Sequence, residues 1–326
     1  MVDGKKLVVS ASPHLRATDT TTRIMLDVII ALMPAFAASI AIFGPRVLAV
    51  TATTVIAAVL SEFIARKVMK RSNTIGDLSA VVTGLILAFN LPVSIPLWMA
   101  AVGSFFAIVV VKQFFGGIGQ NFANPAITAR IVLLLSFAKS MGDWTAPLSW
   151  KTDAVSTATP LATLGGESAE ELPSLLDMFL GLRAGCLGET CAVALIIGGI
   201  YLVARKVISL KIPVSFIGTV AVVMLIAGKG DLEFVAYQLM SGGLLIGAIF
   251  MATDYSTSPI NSKGKIIFGI GCGLLTSVIR LFGSLPEGVS FAILIMNLLV
   301  PHIETLTTPK PFGTVKEKKA KEGEAK

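Results

Sequence analysis

Residues 24–43 read IMLDVIIALMPAFAASIAIF, and after Gly44-Pro45-Arg46 residues 47–65 read VLAVTATTVIAAVLSEFIA. Each run is about the 20 mostly apolar residues that a membrane-crossing helix needs. The short polar break between them predicts a tight turn and two neighbouring antiparallel helices. Working outward, eight further apolar stretches follow. Six are long: 95–111, 191–204, 214–228, 234–252, 266–282 and 289–306. Two are short, 78–91 and 125–138, and their Pro boundaries at Leu91-Pro92 and Asn124-Pro125 predict half-spans that end inside the protein.

Composition agrees with these runs. The 326 residues are 54% hydrophobic and 14% charged, about half the charge of an average soluble domain, and mean hydropathy is +0.81. A soluble globular enzyme, a disordered chain and a nucleic-acid binder are excluded. The net charge of +7 sits in loops between apolar runs, as in cytoplasmic membrane loops. With the N-terminus in the cytoplasm, 20 Lys and Arg fall on the cytoplasmic side and 6 on the outer side. That bias predicts a multi-pass membrane protein with both termini cytoplasmic. The polar first 23 residues predict no cleavable signal peptide. Cys186, Cys191 and Cys272 form no CxxC pair, so they read as small apolar fillers.

The predicted fold class is therefore an all-α polytopic membrane protein, about ten transmembrane helices in two inverted five-helix halves. Five is odd, so two consecutive five-helix units must have opposite orientations. The predicted organisation is a cytoplasmic N-terminal segment (1–23), a first half (24–138), an extracytoplasmic loop (139–189), a second half (190–306) and a cytoplasmic tail (307–326). The loop spans about 50 residues and is comparatively acidic, a length that usually carries function. The Lys/Glu/Ala tail reads as solvated.

Three features can carry chemistry. The loop contains Asp153-Ala-Val-Ser156-Thr-Ala158-Thr159-Pro-Leu161. Its small residues predict an accessible Thr159 hydroxyl, but neither histidine, His14 or His302, is predicted on that side. Any modification of Thr159 must then come from another enzyme. Taken alone, the stretch reads first as an ordinary Ser/Thr-rich loop. The second feature is Phe115-Gly-Gly-Ile-Gly-Gln-Asn121-Phe-Ala-Asn124-Pro125-Ala126. Asn124 suits an N-cap and Pro125 the first helical position, so a half-helix would point its positive end into the protein. Close helix packing on glycine explains the same residues. The third is a set of ionisable residues in or beside the helices: Asp27, Glu62, Arg130, Asp254 and Arg280. Local pairing of Glu62 with Arg66, and of Asp27 with Arg23, is the simplest expectation for two of them.

Several segments together resemble the D subunit of the Rnf ion-translocating electron-transport complexes, related to the B subunit of the sodium-pumping NADH:quinone reductase. They are Ser12-Pro-His-Leu-Arg16, Asp77-Leu-Ser-Ala-Val-Val-Thr-Gly84, Lys112-Gln-Phe-Phe-Gly-Gly117, Asn124-Pro-Ala126, Asp153 through Leu161, Phe250-Met-Ala-Thr-Asp254, Lys263-Gly-Lys265 and Pro286-Glu-Gly288. They run in order over nearly the whole chain. The resemblance implies FMN bonded through its phosphate to Thr159, with Asp153, Ser156 and Ala158 completing the attachment motif. It leaves open a second, noncovalent flavin of the riboflavin type. It also implies a translocase of a prokaryotic cell (inner) membrane, inactive alone, that couples electron transfer between ferredoxin and NAD to Na⁺ or H⁺ transport. The implied partners are the A, B, C, E and G subunits, a flavin transferase and membrane lipid; ferredoxin and NAD are met through partner subunits. Two departures stand out: Thr157 where the family usually has Gly, and Ala123 where Phe commonly precedes Asn-Pro-Ala. A channel or secondary carrier without a redox cofactor, or a purely structural anchor, explains the helices but gives the loop no chemistry.

Overall fold

A computed structural model describes residues 20–151, 157–164, 172–189, 191–283 and 288–309. Every apolar stretch forms helix. In chain order these are α1 (Thr21–Phe43), α2 (Arg46–Val68), α3 (Ser79–Phe89), α4 (Leu97–Phe105, continuing as a π-helical turn over Phe106–Gln113), α5 (Pro125–Ser136), α6 (Ala192–Ala204), α7 (Lys211–Ala227), α8 (Leu232–Met240, then Leu244–Ile246 and a π turn Gly247–Met251), α9 (Ser262–Phe282) and α10 (Val289–Thr307). No strand occurs among the described residues. Four helices, α1, α2, α9 and α10, are long and apolar enough to cross a membrane, and α8 makes a fifth if its two pieces form one span. The chain is a membrane protein with several spans.

The stretch 234–252 departs from its expected single helix. It bends by 65° at Ser241-Gly242-Gly243. Gly242 takes a φ of 54°, which favours glycine, and a Cβ there would meet the Leu161 side chain at 2.4 Å. The first piece of α8 therefore ends at the glycines, and Arg280 of α9 caps it. Its guanidinium donates to the carbonyls of Gln238 (2.6 Å) and Ser241 (2.9 Å).

Caps explain several boundaries. Thr20 starts α1 by accepting from Arg23 N–H. Asn124 starts α5, its Oδ1 accepting from Ala126 N–H (3.0 Å) and Ile127 N–H (3.4 Å), with Pro125 at the first helical position as expected. The helices α2, α6 and α7 end on a left-handed residue that is lysine, not glycine: Lys70, Lys206 and Lys229, with φ of 53°, 60° and 53°. At each, the two backbone bonds of a Schellman ending form; at Lys206 they are Lys206 N–H to Val203 O and Val207 N–H to Leu202 O, both 2.9 Å. The strain of a left-handed lysine is offset in part by its charge against the negative end of the helix dipole.

A core of Leu, Ile, Val, Phe and Ala from every helix buries the middle of the bundle. The helices α2, α3 and α4 pack together, and α7 packs with α9 and α9 with α10. The long segment after α5 does not stay outside this core. Its end, residues 183–189, turns inward and is buried. There Leu187 N–H donates to Leu91 O (3.0 Å) and Gly188 N–H to Phe89 O (2.9 Å), satisfying carbonyls that the short α3 leaves open. Ser39 of α1 donates to Leu187 O and holds it from the other side.

Candidate functional site

The polar middle of the bundle is built by two crossed clasps between α5 and α10. Arg130 of α5 donates to Ser290 Oγ at the start of α10 (2.9 Å) and to Asn90 Oδ1 just past α3 (3.1 Å). Asn297 of α10, with its amide turned to satisfy both neighbours, accepts from Asn124 N–H at the start of α5 (3.1 Å) and donates to Thr257 O beyond α8 (3.0 Å). Each helix thus uses a side chain near its middle to hold the first turn of the other and the loop after a broken or short helix. Asn90 Nδ2 also reaches Met251 Sδ (3.5 Å), and Asn124 Nδ2 reaches Met251 O (3.3 Å), so Met251 is pinned from both clasps.

Around Arg130 the site is closed and charged. Arg130 is 4% exposed. Arg183 and Glu189 are buried beside it, with Arg183 Nη2 donating to Glu189 O and Glu189 Oε1 accepting from Cys186 N–H (2.8 Å). Glu189 Oε2 and Ser241 Oγ are buried without a hydrogen-bond partner. A Cβ on Gly243 would lie 3.3 Å from Glu189 Oε2 and 3.6 Å from Arg130 Nη1, which places the carboxylate, the guanidinium and the break in α8 side by side.

Around Asn124 the site is open. A cleft enclosing about 970 Å³, its part open to solvent included, is lined by Ser79, Lys112, Asn121, Asn124, Asp254 and Ser256 among apolar residues of α1, α3 and α6. Asn121 Oδ1 is buried there without a partner. Asp254 accepts from Ser256 Oγ (2.9 Å) and Thr257 Oγ1 (3.1 Å). Desolvation raises its carboxyl above the ordinary range, working against those hydrogen bonds. Burial and the nearby Asp254 push the Tyr255 phenol up to about 12.

One wall of the cleft rests on a buried ion pair. Lys112, 2% exposed, places Nζ 3.1 Å from Glu62 Oε2, and Glu62 Oε1 also accepts from Gln113 (2.9 Å) and Thr74 (2.8 Å). The π turn of α4 brings Lys112 and Gln113 together onto α2. Glu62 therefore pairs across 50 residues and not with Arg66 one turn away, and Lys112 is a core residue, not a loop charge. Asp27 likewise pairs with Arg205 (3.3 Å) and Tyr201 (2.9 Å) of α6 instead of Arg23. In both cases the carboxylate takes a partner from another helix over the arginine one turn away on its own.

Thr159 begins a short helix, Pro160–Leu164, and its Oγ1 accepts from Ala162 N–H (3.4 Å). It is 7% exposed. The accessible hydroxyl expected from small neighbours is thus covered, because Leu161 packs into the Gly242 notch and draws the segment onto the bundle. Ala158 is half-buried. Arg280 Nη2 would lie 3.3 Å from a Cβ on Gly242, on the notch that holds Leu161. Asp153 and Ser156 fall outside the described residues, as do the tail and Ser12 through Arg16. Asn124 belongs to the open cleft, and Thr159 to the break in α8.

A model of the NQR2, RnfD, RnfE family matches residues 8–313. The chain belongs to that family. It is 48% identical over 316 residues to the D subunit of a Na⁺-translocating ferredoxin:NAD⁺ oxidoreductase complex of Acetobacterium woodii, covering 96% of this chain and 97% of that one. It is 43% identical over 317 residues to the D subunit of a proton-translocating ferredoxin:NAD⁺ oxidoreductase complex of Clostridium ljungdahlii (94% and 96% covered). It is 39% identical over 324 residues to the D subunit of an ion-translocating oxidoreductase complex of Stutzerimonas stutzeri (89% and 92% covered). Rnf D subunits are thus its full-length relatives.

Proposed function

We propose that this chain is the membrane flavoprotein subunit of a ferredoxin:NAD⁺ oxidoreductase complex that couples electron transfer to Na⁺ or H⁺ transport, with FMN joined by its phosphate to Thr159. The observation that carries the reading is the seat of Thr159. The threonine lies two residues before Leu161, whose side chain shares the Gly242 notch with the Arg280 guanidinium. A phosphodiester there finds a cation near it, and Ser241 Oγ is an unpartnered donor at the same break. These residues fit the group. Bound FMN would supply one- and two-electron redox chemistry, while Arg280 and the packing of Leu161 hold the phosphate end and keep water away. Because the Thr159 hydroxyl is covered once the short helix docks, a flavin transferase acts before docking.

The ten helices form two inverted halves in the membrane, with both termini in the cytoplasm. The crossed clasps of Arg130 and Asn297 support this, since two related halves packed about a twofold axis would make just such a reciprocal pair. So does the repeated short piece in third place, Ser79–Phe89 in one half and Leu244–Met251 in the other. On this reading the Thr159 segment is extracytoplasmic and the open cleft faces the cytoplasm. The cleft, with Asn121 Oδ1 unpartnered, suits a second, noncovalent flavin that offers a ring N–H. The A, B, C, E and G subunits supply the sites for ferredoxin and NAD. The relatives' names divide between Na⁺ and H⁺, and either ion fits this reading.

A denaturing gel under ultraviolet light tests the proposal. A fluorescent band at the chain's 34.2 kDa that vanishes in Thr159→Ala is expected. A dark wild-type band from cells that make the transferase would favour a channel or carrier without a redox cofactor.

A further inference from the structure

A second groove lies away from both clasps, between α6 and α7. It encloses about 1200 Å³ with its open side included, and its walls are apolar throughout: Ile196, Ile200 and Val203 from α6, Val214 and Ile217 from α7, and Ile249 behind. Gly199 and Gly218 form its floor. A Cβ on Gly218 would meet no heavy atom within 4 Å, so the groove is open there, whereas one on Gly199 would meet Ile249 at 3.0 Å.

The groove does not end in apolar surface. Ile208 separates it from a smaller pocket of about 550 Å³, lined by Ser209, Ser258, Tyr255 and Lys265. The turn that joins the two is Arg205 through Leu210. Lys206 sits in that turn, exposed, and its left-handed backbone and Schellman bonds fix where it stands. Lys211 and Lys263 flank the same end. The carboxylates facing this end are already engaged: Asp27 with Arg205, Asp77 with Ser79, Asp254 with Ser256 and Thr257, and Glu304 with Ile260 N–H. Five cations against four engaged acids leave the polar end net positive.

We infer that the α6–α7 groove and its polar pocket together bind one anionic phospholipid, an acyl chain in the groove and the phosphate headgroup at Lys206 and Lys265. The dimensions choose this occupant over a helix of a partner subunit. The lining on α6 runs from Ile196 to Ala204, about 12 Å at 1.5 Å per residue. That is less than half of a bilayer core of about 30 Å, and Ile208 and Leu210 mark where the groove meets the polar pocket at its charged end. A spanning helix would need a longer, open-ended face, whereas a single leaflet's lipid has one apolar body and one charged head. A basic site between helices at the cytoplasmic surface is also where anionic headgroups gather. The inference is independent of the flavin; only the choice of leaflet rests on the proposed orientation.

Native mass spectrometry of the assembled complex tests it. The complex is stripped of lipid in detergent and offered phosphatidylglycerol and phosphatidylethanolamine of matched chains. The wild type should hold one phosphatidylglycerol in preference to phosphatidylethanolamine. Gly218→Leu, which grows into open space and improves helix propensity, should lower occupancy about tenfold or more while the complex stays assembled and flavin fluorescence is unchanged. Lys206→Gln with Lys265→Gln should keep lipid binding but cut the preference for phosphatidylglycerol by about thirtyfold. Equal binding of the two lipids by the wild type would overturn the inference. So would occupancy untouched by Gly218→Leu, or loss of a partner subunit in that variant with lipid retained, which would assign the groove to protein.

Discussion

The two clasps do the same mechanical work with different chemistry. Arg130 holds its neighbours with a charge, in a pocket that residues 183–189 seal by bonding to the open carbonyls of α3. Asn297 holds its neighbours with a neutral amide, beside a cleft that stays open. The difference teaches that reciprocal geometry does not require matching chemistry. One end of the bundle is filled by the long segment that also carries Thr159, and the other is left as a cavity.

Breaking the charged clasp should cost most. Arg130→Leu strands Asn90 Oδ1 and Ser290 Oγ and takes a cation from beside the buried Glu189 carboxylate, and about 3–5 kcal/mol of stability should be lost, read as a large drop in the melting temperature of the purified complex. Breaking the neutral clasp should cost less. Asn297→Leu leaves Asn124 N–H and Thr257 O unpaired without orphaning a charge, for about 1–3 kcal/mol in the same assay. Equal losses would mean that the charge does no more than the amide.

The open end can be probed by pH. Asp254 binds its proton more tightly in the folded chain than in the unfolded one, so wild-type stability should fall as pH rises from the ordinary carboxylate range through the raised value. Asp254→Asn should flatten that slope, and melting curves across this window check it. The smallest effect belongs to the helix ends. Lys229→Gly relieves the left-handed strain but removes a cation from the end of α7, and the two changes should leave stability within about 1 kcal/mol.

Hydropathy makes the ten helices legible, and the Asn124-Pro125 cap is readable as a helix start from residue types alone. What averaging hides is a short break: Ser241-Gly242-Gly243 lies within an apolar window whose mean it barely lowers, yet it bends α8. Long-range pairs are hidden for a different reason. Lys112 reads as a loop cation because its charge is visible in sequence, while the π turn that buries it and the partner 50 residues away are not. The inward turn of residues 183–189 has a faint signal in Ala184-Gly-Cys-Leu-Gly188, small and apolar residues inside a loop otherwise read as acidic. Thr159 stands out by its motif, but its burial depends on Leu161 meeting Gly242, which no local pattern shows.

The most direct measurement is the mass of the proteolytic peptide containing Thr159, taken from the complex assembled in its native cells. The account predicts that this peptide carries the added mass of a flavin mononucleotide phosphoester, and that Thr159→Ala abolishes it. An unmodified peptide in a fully assembled, active complex would contradict it.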